Sequence, residues 1–210
     1  MLLKTPSMHS FPKIIVAARD SKLSRKQLGE ALMGIDYEPV WVKTTGDKDL
    51  KTSLRLLDKT DFFTKEIDQL LLEGKCRIAV HSAKDLPDPL PKGLVLAALT
   101  KGVDPADVLV FHNLPLNAKI GSSSPRRDAM IKQYRNDLQI VDIRGPIEAR
   151  LEMVDQGKID GVVMAEAALI RLNLTHRNRI RLQGESAPLQ GKLAIIARQD
   201  DLEILNLFSK

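Results

Sequence analysis

Short apolar runs alternate with helix-like segments along this chain of 210 residues, and that alternation limits the choice of fold more than any other feature. The runs with the length and composition of buried strands in the first half are 13–18, 38–43, 78–80 and 94–99. Helical spacing of apolar residues marks 24–32 and 63–72, and the second segment stops just before Gly74, a residue common after helix ends. Strands that alternate with helices pair in parallel, so the pattern predicts an α/β fold.

The second half of the chain repeats this order. Its strand-like segments are 119–120, 139–143 and 161–164. Helical segments begin near Pro125 and at Ile147, and residues 73–86 align with 156–169 at a constant offset. We therefore predict two similar domains of mixed, mainly parallel sheet with flanking helices and a ligand cleft between them, as in periplasmic binding proteins.

The boundaries of the two domains follow from the segment between the halves. Gly102 and Pro105 interrupt the pattern there, which favours a hinge near 100–104. We expect domain 1 to comprise 1–99 and about 189–210, domain 2 to comprise 105–186, and a second hinge to lie near 187–191.

Composition excludes several classes of function. Aromatic residues make up 4% of the chain, too few for stacking on single-stranded nucleic acid, and no apolar run is long enough for a membrane span. No signal-peptide pattern precedes Ser10, so we expect a cytoplasmic protein. The net charge is +5, and the basic residues are scattered beside Gly, Ser and Asp. That distribution suits a small polyanion, and a solvated basic surface is the alternative.

Disulfide and metal chemistry are not expected. Cys76 is the single cysteine, which excludes an internal disulfide and a cysteine-based zinc site, and its place before a buried strand favours a packing role. The four histidines are far apart, so we expect no metal site. His81 lies in a strand-like run and is expected to be a hydrogen-bonded structural residue.

A strand meets a helix at 121–127 (GSSSPRR), and this junction could bind an anion. Pro125 suits the first helical position, and the helix start would turn free N–H groups and a positive dipole end toward the cleft. Arg126 and Arg127 add donors for carboxylates. The residues expected to cap the helix are Ser122, Ser123 and Ser124. The alternative is a plain serine cap with exposed arginines.

Charged residues also follow other predicted strands. Lys84 and Asp85 come directly after a buried run, and charges at the carboxyl end of a strand in an α/β domain face the binding crevice. A surface ion pair is the alternative. Arginines in comparable positions are Arg19, Arg144, Arg150 and Arg171. Several arginines directed at one cleft require a ligand with several carboxylates to offset their repulsion.

Through these residues the chain resembles the porphobilinogen deaminase, or hydroxymethylbilane synthase, family. The similarity is most distinctive over 63–87, which contains Ala79-Val80-His81-Ser82-Ala83-Lys84-Asp85-Leu86-Pro87, and over 104–107. Residues 121–127 are similar to the family's substrate-binding turn, and 140–145 with Arg150 to its next motif. Residues 190–195 resemble the return of the chain to the first domain. The resemblance extends from about 13 to about 198.

The resemblance implies a transferase of haem and porphyrin biosynthesis that deaminates porphobilinogen and joins four molecules head to tail into a linear tetrapyrrole. It implies that Asp85 is catalytic, steadying positive charge on pyrrole nitrogens and managing protons. The residues that it implies for binding the acetate and propionate arms are Arg19, Ser21, Lys84, Ser122, Ser123, Ser124, Arg126, Arg127, Arg144, Arg150 and Arg171. We expect porphobilinogen as the small-molecule partner, no nucleic-acid or membrane partner, and a monomer.

The chain also departs from the family pattern. Family members usually carry a third domain with a cysteine that bonds the dipyrromethane cofactor, the primer for chain growth. Cys76 is not that cysteine, so we expect a shortened member without the third domain and its attachment residue. Pro125, Pro146 and Lys192 replace residues common in the family. Two alternatives stay open: a non-catalytic homologue that binds a pyrrole polycarboxylate, and a fragment of a longer enzyme.

Overall fold

The computed structural model describes residues 13–56 and 61–209, and ten strands and seven α-helices lie within those ranges. The strands are β1 (Ile14–Arg19), β2 (Tyr37–Val42), β3 (Ile78–Ser82), β4 (Leu94–Leu99), β5 (Asp107–Phe111), β6 (Lys119–Ser122), β7 (Gln139–Asp142), β8 (Gly161–Ala165), β9 (Arg179–Arg181) and β10 (Leu193–Arg198). The helices are α1 (Lys22–Ala31), α2 (Thr45–Lys48), α3 (Lys65–Leu72), α4 (Pro125–Tyr134), α5 (Ile147–Asp155), α6 (Glu166–Arg171) and α7 (Leu202–Phe208). Single 3₁₀ turns occur at Leu54–Leu56 and Ala83–Asp85.

The strands form two five-stranded sheets, one in each of two α/β domains. Their orders are β2-β1-β3-β10-β4 and β7-β6-β8-β5-β9. In the first sheet β1 pairs in parallel with β2 and β3, whereas β10 pairs antiparallel with β3 and β4. In the second, β6 pairs in parallel with β7 and β8, whereas β5 pairs antiparallel with β8 and β9. The predicted α/β class with two domains of mixed sheet is therefore confirmed, and β5 and β10 supply its antiparallel pairings.

The weak internal repeat in the sequence corresponds to equivalent strands. The aligned segments contain β3 and β8, each the third strand in its sheet. The two helices that precede them, α3 and α5, also align. The turns that follow β3 and β8 therefore occupy matching places at the edges of the two sheets.

Helices cover both faces of each sheet because the strands are apolar on both sides. In β1, Val16 packs in one cluster with Leu28 of α1, whereas Ala17 packs in another with Ile67 of α3. The second sheet has the same arrangement, with Leu151 of α5 in one cluster and Ile131 of α4 in the other. Burial on both faces leaves the strand ends as the places where charged side chains can gather.

The chain passes between the sheets twice, after β4 and before β10, and the two crossing segments touch. Val103 N donates to Gly191 O at 3.1 Å. Gly191 has a φ of +88°, and a Cβ there would lie 2.3 Å from the Val103 carbonyl oxygen, so this position requires glycine. The predicted domain limits and hinges stay predictions, and residues 1–12, 57–60 and 210 of predicted domain 1 lie outside the described ranges.

Within residues 13–56 and 61–209, no helix has the length and apolar character that spanning a membrane requires.

Candidate ligand-binding cleft

A cleft of about 1020 Å³ lies where the turns after β1, β3, β6, β7 and β8 converge. Eleven basic and four acidic side chains line it, so its potential is strongly positive. Of the residues predicted to form the site, those that line the cleft are Arg19, Ser21, Lys84, Asp85, Ser123, Ser124, Arg126, Arg127, Arg144, Arg150 and Arg171. The structure thus brings together every predicted site residue except Ser122.

The hydroxyls of Ser122 and Ser123 are engaged by backbone carbonyls. Ser122 is fully buried, and its hydroxyl lies 3.4 Å from the backbone nitrogen and from the carbonyl oxygen of Ser124. The Ser123 hydroxyl donates to the carbonyl of Ile143, and Ser124 occupies the N-cap position of α4 without a side-chain capping bond. A serine is thus the N-cap residue of α4, as expected, but no serine hydroxyl caps the helix, because those of Ser122 and Ser123 are directed at backbone carbonyls.

Arg126 and Arg127 share one buried carboxylate. Arg127 Nε donates to Asp107 Oδ1 at 2.9 Å, and Arg126 Nη1 pairs with Asp107 Oδ2 at 2.6 Å. The Asp107 side chain has no exposed surface. Burial alone would raise the pKa of Asp107, but the two guanidinium groups and Gln190 outweigh it and hold that pKa below its usual range. Two cations on one anion leave a net positive charge beside the cleft.

Arg19 and Arg144 lie at the side of the cleft formed by the segment after β2. Arg19 pairs with Asp47 and stacks on the Phe63 ring, with 4.4 Å between guanidinium carbon and ring centroid. Burial would raise the pKa of Asp47, yet the hydrogen bonds and charge of Arg19 keep it below its usual range. Arg144 Nη2 donates across the cleft to the carbonyl of Asp49 at 2.7 Å.

Arg171 joins the two domains. Its Nε and Nη2 donate to the two carboxylate oxygens of Glu30 in α1 at 2.7 and 2.8 Å, and Nη2 also donates to Gly191 O at 2.7 Å. The Arg171 side chain is 5% exposed and that of Glu30 is 31% exposed. These bonds occupy two of its three nitrogens, so Arg171 lines the cleft chiefly as a link between domains.

Arg150 and Lys84 resemble Arg144, and differ from Arg19, Arg126, Arg127 and Arg171, because none of the three has a carboxylate hydrogen-bond partner among the described residues. Arg150 Nε donates only to the Gly145 carbonyl at 2.8 Å, and burial together with the nearby charges of Arg127 and Arg144 lowers the pKa of Arg150 to about 10. Lys84 Nζ donates to Gln190 Oε1 at 3.1 Å. The surrounding protein, followed by the charge of Arg127, lowers the pKa of Lys84 to about 8. Both cations would be stabilised by an anion in the cleft.

Asp85 ends the 3₁₀ turn after β3 and faces the same space. Its carboxylate forms no hydrogen bond or ion pair with any residue in the described ranges, although Lys84 lies near enough to interact electrostatically. His81, just before this turn, is buried, with Nε2 3.4 Å from Asp68 Oδ1 on α3. Its burial agrees with a structural histidine, but among the described residues Nε2 has no hydrogen-bond partner, so the expected hydrogen bond is not found. Asp85 is thus a carboxylate available to a ligand amid cationic groups.

Several cleft residues were not predicted from the sequence. Gln27 Nε2 donates to the Ser82 hydroxyl at 2.9 Å, and both side chains line the cleft. Arg55, which does not line the cleft itself, reaches the second domain beside it, where it pairs with Asp128 and donates to the Ser122 carbonyl at 2.9 Å. The partners of the predicted arginines were also missed: Glu30, Asp47, Asp107 and Gln190. Their signal in the sequence is weak, because each lies far along the chain from the group that it contacts.

Cys76 lies outside the cleft. It is 1% exposed in the core beneath α3, and burial raises the pKa of its thiol to about 11. Among the described residues, no group of three or more His, Cys, Asp and Glu side chains could hold a metal ion.

The fold and cleft define a two-domain α/β protein whose site suits a small polyanion. The chain belongs to the porphobilinogen deaminase family, because the family model described as porphobilinogen deaminase, dipyromethane cofactor binding domain, matches residues 14–206. A protein of Caldicellulosiruptor saccharolyticus named porphobilinogen deaminase is 42% identical, covering 94% of this chain and 73% of its own length. One of Chlamydia pneumoniae, named probable porphobilinogen deaminase, is 41% identical and covers 87% of this chain and 83% of its own length.

Solved structures with low sequence identity share the fold. Lipoprotein Tp32 of Treponema pallidum has a TM-score of 0.51 at 11% identity, with 91% of this chain and 87% of that chain covered. A lipoprotein of Bacillus subtilis has a TM-score of 0.50 at 14% identity, with 92% and 90% covered. The architecture is accordingly that of periplasmic binding proteins, as predicted from the sequence.

Proposed function

We propose that this chain acts as a hydroxymethylbilane synthase, a transferase that deaminates porphobilinogen and condenses four molecules head to tail into a linear tetrapyrrole. The observation that carries the proposal is the carboxylate of Asp85, which has no hydrogen-bond or ion-pair partner in the described part of the chain and lies among cations that likewise lack a carboxylate there. Lys84 and Arg150 have lowered pKa values and no carboxylate hydrogen-bond partner among the described residues. A pyrrole that carries carboxylate arms and an N–H group complements both features.

The cationic residues would hold the acetate and propionate arms. A carboxylate bound by Lys84 and Arg150 would raise their lowered pKa values and form charge-assisted hydrogen bonds with both. The other residues proposed to bind carboxylates are Arg19, Ser21, Ser123, Ser124, Arg126, Arg127 and Arg144. We assign Arg171 and Ser122 supporting roles, since their polar groups are held by Glu30, Gly191 and the turn itself. Binding several arms at once would fix the ring beside Asp85.

Asp85 would act on the ring nitrogen. Its carboxylate can accept the pyrrole N–H, offset positive charge that develops as ammonia departs, and accept the proton released when two rings join. Asparagine at this position would keep the size and one hydrogen-bond acceptor but lose the charge and the basicity.

The family's dipyrromethane group fits this chain in part. Its carboxylate arms suit the arginines of the cleft, and Arg126, Arg127, Arg144 and Arg150 are the residues that would hold them. When bound, such a group supplies the free ring end to which substrate units are added. Cys76 does not suit covalent attachment, because it is buried outside the cleft and its thiol has a raised pKa. We propose that Cys76 packs the core and carries no pyrrole.

Turnover of porphobilinogen tests the function directly. Purified protein is incubated with porphobilinogen, and the product is oxidised and followed by porphyrin absorbance. We expect tetrapyrrole from the wild-type chain and a loss of at least about 100-fold in the Asp85→Asn variant. Asp200→Asn, the same change at a side chain that is 78% exposed after β10, is the matched control and should retain most of the rate. Absence of product from a wild-type chain that still binds porphobilinogen would overturn the proposal in favour of a binding protein.

We further propose a cytoplasmic monomer that does not bind nucleic acid and whose hinges lie near 100–104 and 187–191. The scarcity of aromatic residues and the scattered basic residues support the absence of nucleic-acid binding. Size-exclusion chromatography with light scattering tests the oligomeric state, and a mass near 23.4 kDa is expected.

A further inference from the structure

A hydrogen-bonded chain crosses from one domain to the other at the cleft, from the exposed Lys84 to two buried side chains. It begins at Lys84 after β3, passes through Gln190 on the returning crossing segment, and ends at Asp107, the first residue of β5. Gln190 is 4% exposed and Asp107 is 1% exposed. The chain connects the residue next to Asp85 with the carboxylate that Arg126 and Arg127 share.

The orientation of the Gln190 amide is determined by its neighbours. Gln190 Nε2 donates to the Pro105 carbonyl at 2.6 Å and to Asp107 Oδ1 at 3.0 Å. Both partners only accept, so the nitrogen must face them, and Oε1 must face the Lys84 ammonium. The amide therefore links Asp107 to Lys84 in one orientation, with its nitrogen toward Asp107 and its oxygen toward Lys84.

The backbone holds Gln190 in place. Leu189 before it has a φ of +59° and Gly191 after it has a φ of +88°, and the Gly191 carbonyl accepts from both Val103 N and Arg171 Nη2. The amide therefore offers the Lys84 ammonium an acceptor whose position is fixed by the backbone.

We propose that Asp107 and Gln190 are positioning residues, which hold Lys84, Arg126 and Arg127 as one cationic array spanning both domains and so set where substrate carboxylates bind relative to Asp85. This inference rests on the proposed function. Asp107 removes the repulsion between two adjacent guanidinium groups, and Gln190 fixes Lys84 without neutralising it. The array keeps a net positive charge, which a ligand carboxylate can offset.

Competitive labelling of the Lys84 amine tests the connection without requiring turnover. The protein reacts with a trace of acetic anhydride between pH 6 and pH 10, and mass spectrometry of the Lys84 peptide gives the extent of acetylation at each pH. The midpoint of that curve is the pH at which half of the Lys84 amine is deprotonated. Four charged groups act on this ammonium: Arg126, Arg127, Asp85 and Asp107. We expect a wild-type midpoint near pH 8. Gln190→Glu, which places a carboxylate beside Lys84, should raise it by about 1 unit or more.

Two further variants sharpen the test. Gln190→Met removes the acceptor while keeping the length, so the midpoint should fall below that of the wild type. Gln199→Glu makes the same charge change at an exposed position after β10 and should leave the midpoint unaltered. Asp107→Asn should also lower the midpoint, but the conclusion does not depend on it because loss of this buried carboxylate could prevent folding.

Kinetics with porphobilinogen separate positioning from catalysis. Gln190→Met should raise KM about tenfold with kcat changed less than about twofold, because the bound arms lose a fixed partner while Asp85 stays in place. If the wild-type chain shows no turnover, the proposed function is wrong. The labelling experiment would then still decide whether Gln190 holds Lys84 in the cationic array. Folded Gln190→Glu and Gln190→Met proteins with the wild-type midpoint would overturn the inference.

Discussion

Replacing Arg171 by methionine should affect stability more than ligand affinity. The Arg171 guanidinium forms three charge-assisted bonds, two to Glu30 and one to the Gly191 carbonyl, and its side chain is 5% exposed. Removing one partner of a buried ion pair costs about 3–5 kcal/mol. The Glu30 side chain is 31% exposed and can rehydrate once the arginine is gone, so we expect about 2–3 kcal/mol.

In a chain of this size, 1 kcal/mol shifts Tm by about 2–4 °C, so Arg171→Met should lower Tm by about 5–10 °C. Differential scanning calorimetry measures the shift. Arg181→Met is the matched control, because Arg181 pairs with Asp104 at the surface with a side chain that is 62% exposed. That exposed pair should contribute less than about 1 kcal/mol.

The kinetic outcome decides which role Arg171 has. If it links the domains, KM for porphobilinogen measured well below Tm should change less than about threefold in Arg171→Met. A variant with the Tm of Arg181→Met and a KM raised tenfold or more would refute this reasoning, and would restore Arg171 to the set of carboxylate-binding residues that the family resemblance implies.

Three further predictions concern the cations and the thiol. The surrounding protein lowers the pKa of Lys84 from its ordinary 10.5 to about 8, and a bound carboxylate should raise it, so affinity for porphobilinogen should fall as pH rises above about 8. Calorimetric titration should show proton uptake at pH 9 and little at pH 7, and Lys84→Arg should remove the difference. Arg150→Leu should raise KM for porphobilinogen at least tenfold. It should leave the free energy of unfolding unchanged or raise it by about 1 kcal/mol, because the half-buried charge of Arg150 has no carboxylate hydrogen-bond partner in the described ranges. A loss of stability in urea titrations would contradict this. Iodoacetamide at neutral pH should alkylate Cys76 at least about tenfold more slowly in the folded protein than in urea, and its peptide should carry no pyrrole mass.

Much of the fold could be predicted from local pattern. The apolar runs that became β1, β2, β3 and β4 are each six or fewer residues long and end in polar turns, so their period and length identified them as strands. Gly74 ends the turn after α3 with a φ of +68°, which few other residues adopt readily. The antiparallel β5 and β10 were not assigned this way, because their partners lie in distant parts of the chain and local periodicity carries no information on pairing.

The candidate site was predicted less completely than the fold. Strand-end charges such as Arg19, Lys84 and Arg144 could be placed at one edge because parallel strands end together. The partners could not, since Asp47, Asp107 and Glu30 lie 28, 20 and 141 positions from the arginines that they bind. Residue type alone therefore made Arg150 and Arg171 equivalent. Their contacts distinguish them: Arg150 has no carboxylate partner among the described residues, whereas Arg171 links the two domains through Glu30.

The most direct test of the central claim is to measure ammonia and tetrapyrrole in the same reaction. Wild-type protein supplied with porphobilinogen should release ammonia and accumulate a linear product that oxidises to porphyrin, in a ratio of four ammonia molecules per tetrapyrrole. Asp85→Asn should abolish both signals while binding persists. Wild-type protein that binds porphobilinogen yet releases no ammonia would contradict the account and leave a binding cleft without the chemistry proposed for it.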